Sequence, residues 1–150
     1  SASMISIQHP RTKEEFKKLY ALRYHVLREP LGLPRGTEKD DYEPISTHYI
    51  AIDDQNGEIV GTAKLFEKEP GVGQFSHIAV ADKYQNRGVG KLLVDEIEKQ
   101  CRLSGYHTLG TLTRVTATGF YEKCGFKKVG ISGSLFGKLQ MMWMEKPLNS

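Results

Sequence analysis

The chain has 150 residues, of which 39% are hydrophobic and 26% are charged, and its formal net charge at pH 7 is +3. This length predicts one domain with a single core, and the small charge argues against a nucleic-acid partner. The sequence contains neither a long apolar run nor a signal peptide, so we expect a cytoplasmic protein without a membrane partner. Residues 1–3 precede Met4 and are interpreted as an expression scar, which leaves 4–150 as the domain.

The cysteine and histidine content predicts no metal. Cys101 and Cys124 fall on separate predicted helices, and no cysteine–histidine cluster has the spacing of a zinc site. We therefore expect two reduced thiols and no disulfide framework.

The first half of the chain predicts one helix among strands. Thr12 and Glu15 have the spacing of a capping box, so a helix should begin there and end before Pro30. Asn56-Gly57 predicts a hairpin turn. The strands predicted around these features cover Ile5 to Gln8, His48 to Ile52 and Glu58 to Phe66.

The second half alternates strands with helices. A strand over Phe75 to Val80 leads to a helix from Val89 to about Leu103, whose buried stripe is predicted to hold Val89, Leu93, Ile97 and Cys101, with Leu92 beside them. Three more strands are predicted, over His107 to Leu112, from Phe126, and over about Gln140 to Glu145. This order predicts an α/β fold with a mixed, mostly antiparallel sheet of six to seven strands and helices on both faces.

The stretch Gln85-Asn86-Arg87-Gly88-Val89-Gly90 lies where the strand turns into the long helix. The first N–H groups of a helix carry partial positive charge, and glycines let a phosphate approach them closely. Arg87 and Lys91 add full positive charges. The segment therefore predicts a binding site for a phosphorylated cofactor.

Two common phosphate motifs do not fit this stretch. A Walker loop needs glycine at position 85 and serine or threonine at 92, where the chain has Gln85 and Leu92. A dinucleotide fingerprint needs a third glycine at 93, where the chain has Leu93. The pattern that remains is Gln/Arg-x-x-Gly-x-Gly/Ala, which resembles the acetyl-CoA diphosphate loop of the GCN5-related N-acetyltransferase (GNAT) family.

Two further stretches are similar to the same family. Residues 114–126 read Arg-Val-Thr-Ala-Thr-Gly-Phe-Tyr-Glu-Lys-Cys-Gly-Phe, which resembles its second signature and predicts a short helix ended by Gly125. The segment Leu27 to Gly36, with the acidic residues after it, is similar to a branch of mostly unassigned bacterial members. That branch often has a histidine where this chain has Met141.

The resemblance implies an acetyl-CoA-dependent N-acetyltransferase that moves an acetyl group to a primary amine by direct attack in a ternary complex. The acceptor would be a small-molecule or peptide amine, and the protein a monomer or homodimer. Tyr121 is the implied acid for the departing thiolate, while Phe120 is expected in the core. The implied contacts of coenzyme A are the backbone of Ile78, Ala79 and Val80, the segment Gln85, Asn86, Arg87, Gly88, Val89, Gly90 and Lys91, and the side chains of Arg114 and Tyr121.

The general base is less well defined by the sequence. Some family members use a glutamate on the strand before the loop, where this chain has Gln74. His77 on that strand has a suitable unperturbed pKa, of about 6.5, but strand alternation places it on the opposite face from Gln74. Three alternatives stay open: Glu38, Asp41 and His48.

The acidic segment Glu38, Asp40, Asp41 and Glu43 has two interpretations, since it either steers a cationic amine or forms a solvated charged surface. The function likewise has alternatives. A CoA-binding sensor or interaction module would keep the fold without turnover, as Gln74 and Met141 permit. A phosphate-binding module of unrelated fold would have no affinity for CoA.

Overall fold

The computed structural model describes residues 4–148; the expression scar predicted at residues 1–3 lies outside them. Three α-helices, four three-residue 3-10 helices and seven strands occur in this range. The α-helices are α1 (Lys13–Leu27), α2 (Val89–Leu103) and α3 (Thr118–Lys123). The strands are β1 (Ile5–Gln8), β2 (Thr47–Asp53), β3 (Ile59–Glu69), β4 (Val72–Val80), β5 (Thr108–Arg114), β6 (Lys127–Leu135) and β7 (Leu139–Pro147).

The strands form one mixed sheet in the order β1-β2-β3-β4-β5-β7-β6. The β4–β5 pair is parallel, with Val72 opposite Thr108 and Phe75 opposite Thr111, whereas β1–β2, β5–β7 and β6–β7 are antiparallel. Helix α2 connects the parallel pair, as such a connection requires. The predicted α/β fold with a mixed sheet of up to seven strands is confirmed.

The chain forms two compact units. Within the described residues, the first unit contains 4–64 together with His77–Glu96, and its core includes Ile50 on β2, Ala63 on β3 and Leu93 on α2, all fully buried. The second unit contains Leu65–Ser76 and residues 97–148. Its buried side chains include Phe75, Ile97, Leu109 and Met144.

Local sequence signals explain several element boundaries. The Thr12–Glu15 capping box is present at the start of α1. Gly125 adopts φ 94° after α3, and its N–H donates to the carbonyl of Glu122, while the N–H of Phe126 donates to that of Tyr121. These bonds satisfy the last carbonyls of the helix, so the predicted glycine-terminated helix is confirmed.

Two buried positions and the bounds of some strands were predicted wrongly. Leu92 is 42% exposed and Phe120 is 39% exposed, because each falls at the edge of its helix's apolar face. Strand β3 continues to Glu69 rather than ending at Phe66. Strand β4 begins at Val72 rather than Phe75. Gly73 does not end the strand but lies within it, and a Cβ there would stand 3.0–3.2 Å from Tyr106, Cys101 and Leu65. The glycine is therefore required by close packing.

Candidate active site

The glycine-containing loop joins β4 to α2 in the first unit. Asn86 and Gly88 both have left-handed backbone conformations, with φ 61° and 83°. A Cβ placed on Gly88 would meet no atom within 4 Å, so space is open above this residue. Helix α2 starts at the next residue, Val89, and its first N–H groups have no acceptor within the helix. Loop and helix start therefore have the form of an anion-binding site.

Close packing of α2 against β3 fixes where this helix start lies. A Cβ on Gly61 of β3 would stand 3.0 Å from Val89 and 3.2 Å from Leu93. The absence of a side chain at position 61 lets the first two turns of α2 approach the strand. Val89 and Leu93 are 2% and 0% exposed, which shows that the predicted stripe anchors the helix at its N-terminal end.

Several side chains of the loop contact neighbouring residues of the first unit. The Gln85 amide donates to the carbonyl of Val80 at 3.0 Å and so joins the loop to the end of β4. The Arg87 guanidinium lies 4.9 Å from the centroid of the Tyr84 ring. The Tyr84 hydroxyl in turn donates to the buried carboxylate of Asp53 at 2.6 Å. Lys91 forms an ion pair with Asp95 one turn along α2, at 2.7 Å.

Tyr84 was not singled out from the sequence, although it supports the predicted cation Arg87. A cation over an aromatic face is stabilised by about 0.5–1 kcal/mol at exposed sites. The hydrogen bond to Asp53 holds the ring of Tyr84 in place. No sequence signal connects position 84 with position 53, because only the folded sheet brings them together.

Tyr121 and Arg114 lie in the second unit. Tyr121 is 8% exposed and packs near Phe75, with ring centroids 5.7 Å apart. Burial and the nearby Cys124 raise the pKa of Tyr121 well above its usual value, and a hydrogen bond with Thr113 only partly opposes this. The phenol therefore keeps its proton throughout the physiological range. Arg114 is the last residue of β5, opposite Met141 of β7, and not part of the helix that follows.

His77 lies in β4 just before Ile78, Ala79 and Val80. It has a left-handed φ of 57°, so the side-chain alternation expected along the strand is interrupted there. Its Nε2 lies 3.4 Å from Nη2 of Arg28, which donates to it because a guanidinium has no acceptor. Burial, together with the positive charges of Arg23, Lys64 and Arg28, lowers the pKa of His77 well below 6.5. The ring is therefore neutral at pH 7.

Two of the three other proposed bases, Glu38 and His48, also form hydrogen bonds within the protein. The Glu38 carboxylate is buried and accepts the N–H of Gly36 at 2.7 Å. The Nε2 of His48 lies 3.2 Å from the carbonyl of Glu43, and burial lowers the pKa of His48. Asp41 is exposed.

Two of the four acidic residues of this segment, Asp40 and Glu43, form ion pairs with buried cations. Lys64 of β3 has no exposed surface and forms ion pairs with Asp40 and, at 2.7 Å, with Glu43. The equally buried Arg23 of α1 pairs with Glu43 at 2.8 Å and donates to the carbonyl of Glu38 at 3.1 Å. These contacts hold the segment against the first unit. Asp40 and Glu43 therefore form ion pairs with buried cations of the first unit, a role that neither interpretation of the sequence included.

Comparison with known proteins identifies the family of this chain. A family model described as an acetyltransferase (GNAT) domain matches residues 44–128, which is more than half of the chain. The chain belongs to the GNAT acetyltransferase family. The predicted family is thereby confirmed, and the unrelated phosphate-binding module is excluded.

This GNAT protein is similar to a curated relative over most of its length and to solved structures over nearly all of it. It is 25% identical over 117 residues to the uncharacterized N-acetyltransferase YjcF of Bacillus subtilis (strain 168), covering 78% of this chain and 81% of the relative. A GNAT acetyltransferase of Elizabethkingia anophelis with acetyl-CoA bound shares 23% identity at a TM-score of 0.76, covering 96% and 98% of the two chains. An aminoglycoside 6'-N-acetyltransferase complexed with coenzyme A shares 19% identity at a TM-score of 0.78, covering 98% of each.

The described residues of this GNAT domain contain neither a membrane-spanning helix nor a metal-binding cluster. Within residues 4–148, no helix combines the length and apolar character needed to cross a membrane. The same residues contain no cluster of three or more histidine, cysteine or acidic side chains suited to a metal ion.

Proposed function

We propose that this protein is an acetyl-CoA-dependent N-acetyltransferase that transfers the acetyl group to a primary amine by direct attack in a ternary complex. The observation that carries the proposal is the loop before α2, where left-handed Asn86 and Gly88 open directly onto the start of a 15-residue helix. A diphosphate fits this site because main-chain N–H groups, the helix dipole and Arg87 all favour negative charge. Solved relatives with acetyl-CoA or coenzyme A bound support the choice of cofactor.

The loop residues Gln85 to Lys91 are proposed to bind the cofactor. Gln85 fixes the loop to β4, and Gly88 leaves the space that a phosphate needs. The backbone of Ile78–Val80 is proposed to pair with the pantetheine arm. Arg114, whose guanidinium is permanently charged, is proposed to contact a phosphate or the pantetheine.

Tyr121 is the proposed acid. When the amine attacks the thioester carbonyl, the C–N bond forms, the C–S bond breaks and the thiolate requires a proton. Tyr121 holds its proton firmly because its pKa is raised. Transfer to a thiolate is uphill from such a group, but burial destabilises a bare thiolate as well as a phenolate. Tyr121 is therefore proposed first to donate a hydrogen bond to the sulfur, which strengthens as negative charge develops there. Transfer of the phenolic proton to the thiolate then completes the step.

The amine must lose a proton, and His77 is the predicted base for this step. Two observations weigh against that role: its pKa is lowered, and Arg28 donates to its Nε2. Base function would require this contact to open. An amine with a pKa near that of an α-amino group, about 8, supplies enough neutral form at pH 7 without a strong base.

The hydrogen bond from Arg28 to His77 favours a second candidate function, a CoA-binding module without turnover. Gln74 also replaces the glutamate that some family members use as a base. One experiment separates the two functions. Purified protein is mixed with acetyl-CoA and a panel of amines that includes amino acids, aminoglycosides and peptides, and free CoA thiol is measured. Amine-dependent thiol release supports the enzyme, whereas CoA binding without release for every amine supports the module.

A further inference from the structure

His77 has a backbone conformation that needs support from its surroundings. Its φ of 57° is left-handed, which is unfavourable for a residue with a Cβ, and it occurs within strand β4 rather than at a turn. Such conformations persist only where neighbouring groups hold them in place. The three residues that follow, Ile78–Val80, are those proposed to bind the pantetheine arm.

Arg28 is the neighbour that contacts the ring. Its side chain is almost fully buried, and its guanidinium has three described contacts on different atoms. Nε donates to the carbonyl of Thr37 at 2.9 Å, Nη1 to that of Leu27 at 3.2 Å, and Nη2 to Nε2 of His77 at 3.4 Å. The first two contacts fix the guanidinium, so the third presents a rigid donor to the imidazole.

The charges around the imidazole keep it able to accept this bond. The positive charges of Arg23 in α1, of Lys64 in β3 and of Arg28 just after α1 lower the pKa of His77, and the carboxylate of Glu43 opposes them. A protonated ring would have no lone pair on Nε2 and would repel three cations. The neutral ring with its proton on Nδ1 is the form that fits.

We infer that Arg28 is a positioning residue, which holds the ring of His77 and thereby the left-handed bend that directs Ile78–Val80 toward the cofactor. This inference rests on the proposed function, because it assigns the bend a role in binding acetyl-CoA. Arg28 itself need not touch the cofactor.

The test is a double-mutant cycle with two readouts, the affinity for acetyl-CoA by calorimetry and the pKa of His77 by NMR titration. In Arg28→Met the pKa of His77 should rise toward its ordinary value, and the affinity should fall about tenfold. Glycine adopts left-handed φ without strain, so in a His77→Gly background Arg28→Met should change the affinity less than about twofold. The His77 signal is assigned by its absence in His77→Gly.

Two further variants test whether a general folding defect explains the loss of affinity. Arg28→Lys keeps the charge but lacks the planar fork, and it should retain the lowered pKa of His77 with an intermediate affinity. Arg35→Met removes an exposed cation from the same loop and should leave both readouts unchanged.

A purely structural role for Arg28, through Thr37 and Leu27 alone, gives a different pattern. The loss of affinity would then persist in the His77→Gly background, which would overturn the inference. An unchanged pKa of His77 in Arg28→Met would also overturn it, because the guanidinium and the ring would then not be in contact. If the parent protein bound no acetyl-CoA, the proposed function would fail and the role in binding with it, while the titration would still report whether Arg28 lies beside the ring.

Discussion

The residues around Tyr121 determine the pKa of its side chain. Its ring packs near those of Phe75 and Phe126, its hydroxyl forms a hydrogen bond with Thr113, and its raised pKa keeps the phenol protonated. The sequence identified this residue through a motif, but the motif carries no information about burial. The strength of the phenol as an acid follows from the packing of Phe75 and Phe126 around it, which only the fold provides.

Replacing Tyr121 by phenylalanine should lower kcat about 100-fold, the range in which positioned acids contribute. The KM for acetyl-CoA should change little, because the ring remains and only the hydroxyl is lost. The measurement is steady-state thiol release with the best amine from the panel. Tyr106→Phe is the matched control, since it removes a partly buried phenol from the same unit and should leave kcat unchanged. Equal rates for Tyr121→Phe and the parent would rule out the acid role.

At the scale of elements, the sequence predicted which segments are helices and strands better than how they pack. Apolar spacing in α2 predicted its bounds and the four buried residues of its stripe. The extent of β4 was predicted too short, because a glycine that allows close packing has the same sequence signature as a glycine that ends a strand. The left-handed φ of His77 had no sequence signal, since only a small fraction of non-glycine residues adopt this conformation.

Gly61 tests whether the close approach of α2 to β3 constrains the packing of this helix. In Gly61→Ala the new methyl group would crowd Val89, Ala51 and Leu93 at 3.0–3.2 Å. We expect a loss of about 1–3 kcal/mol in the free energy of unfolding, as overpacked cores show. The measurement is urea denaturation followed by circular dichroism.

Gly119→Ala provides the control for this substitution. Gly119 lies in α3, where an added Cβ meets no atom within 4 Å, and alanine has the higher helix propensity. This variant should be as stable as the parent or slightly more stable. If both alanine variants had the same stability, the close approach at Gly61 would not constrain α2.

At the scale of the whole molecule, buried charge makes stability depend on pH. The sequence displayed an acidic segment and a lysine within a strand, but not their pairing, because position 64 is distant from positions 40 and 43 in the chain. Burial alone would raise the pKa of Glu43, yet hydrogen bonds from Lys64 and Arg23 lower it far below its ordinary value of 4.5. The ionised carboxylate therefore stabilises the folded state.

The sign of the pH dependence follows from the lowered pKa. Above pH 4.5 the carboxyl of Glu43 is ionised in both states, and its full contribution to stability is present. As the pH falls below this value, the unfolded chain binds a proton that the folded protein does not, so stability is lost. Glu43→Gln should cost about 3–5 kcal/mol at pH 7, because it leaves Lys64 and Arg23 without their shared partner.

Urea denaturation at pH 7 and at pH 3.5 measures this effect. The difference between Glu43→Gln and the parent should be smaller at the lower pH. Asp41→Asn removes an exposed carboxyl from the same segment and should change stability by less than about 0.5 kcal/mol at either pH. A difference for Glu43→Gln that stayed constant with pH would show that its charge does not support the fold.

The most direct test of the account is calorimetric titration with acetyl-CoA of the parent and of Gly88→Glu. The new carboxylate would occupy the open space above residue 88 and repel a diphosphate, so we predict at least about tenfold weaker binding. Gly105→Glu makes the same change at the other end of α2, also at a left-handed glycine with open space, and should bind as the parent does. Equal affinities for Gly88→Glu and the parent would contradict the assignment of this loop to coenzyme A.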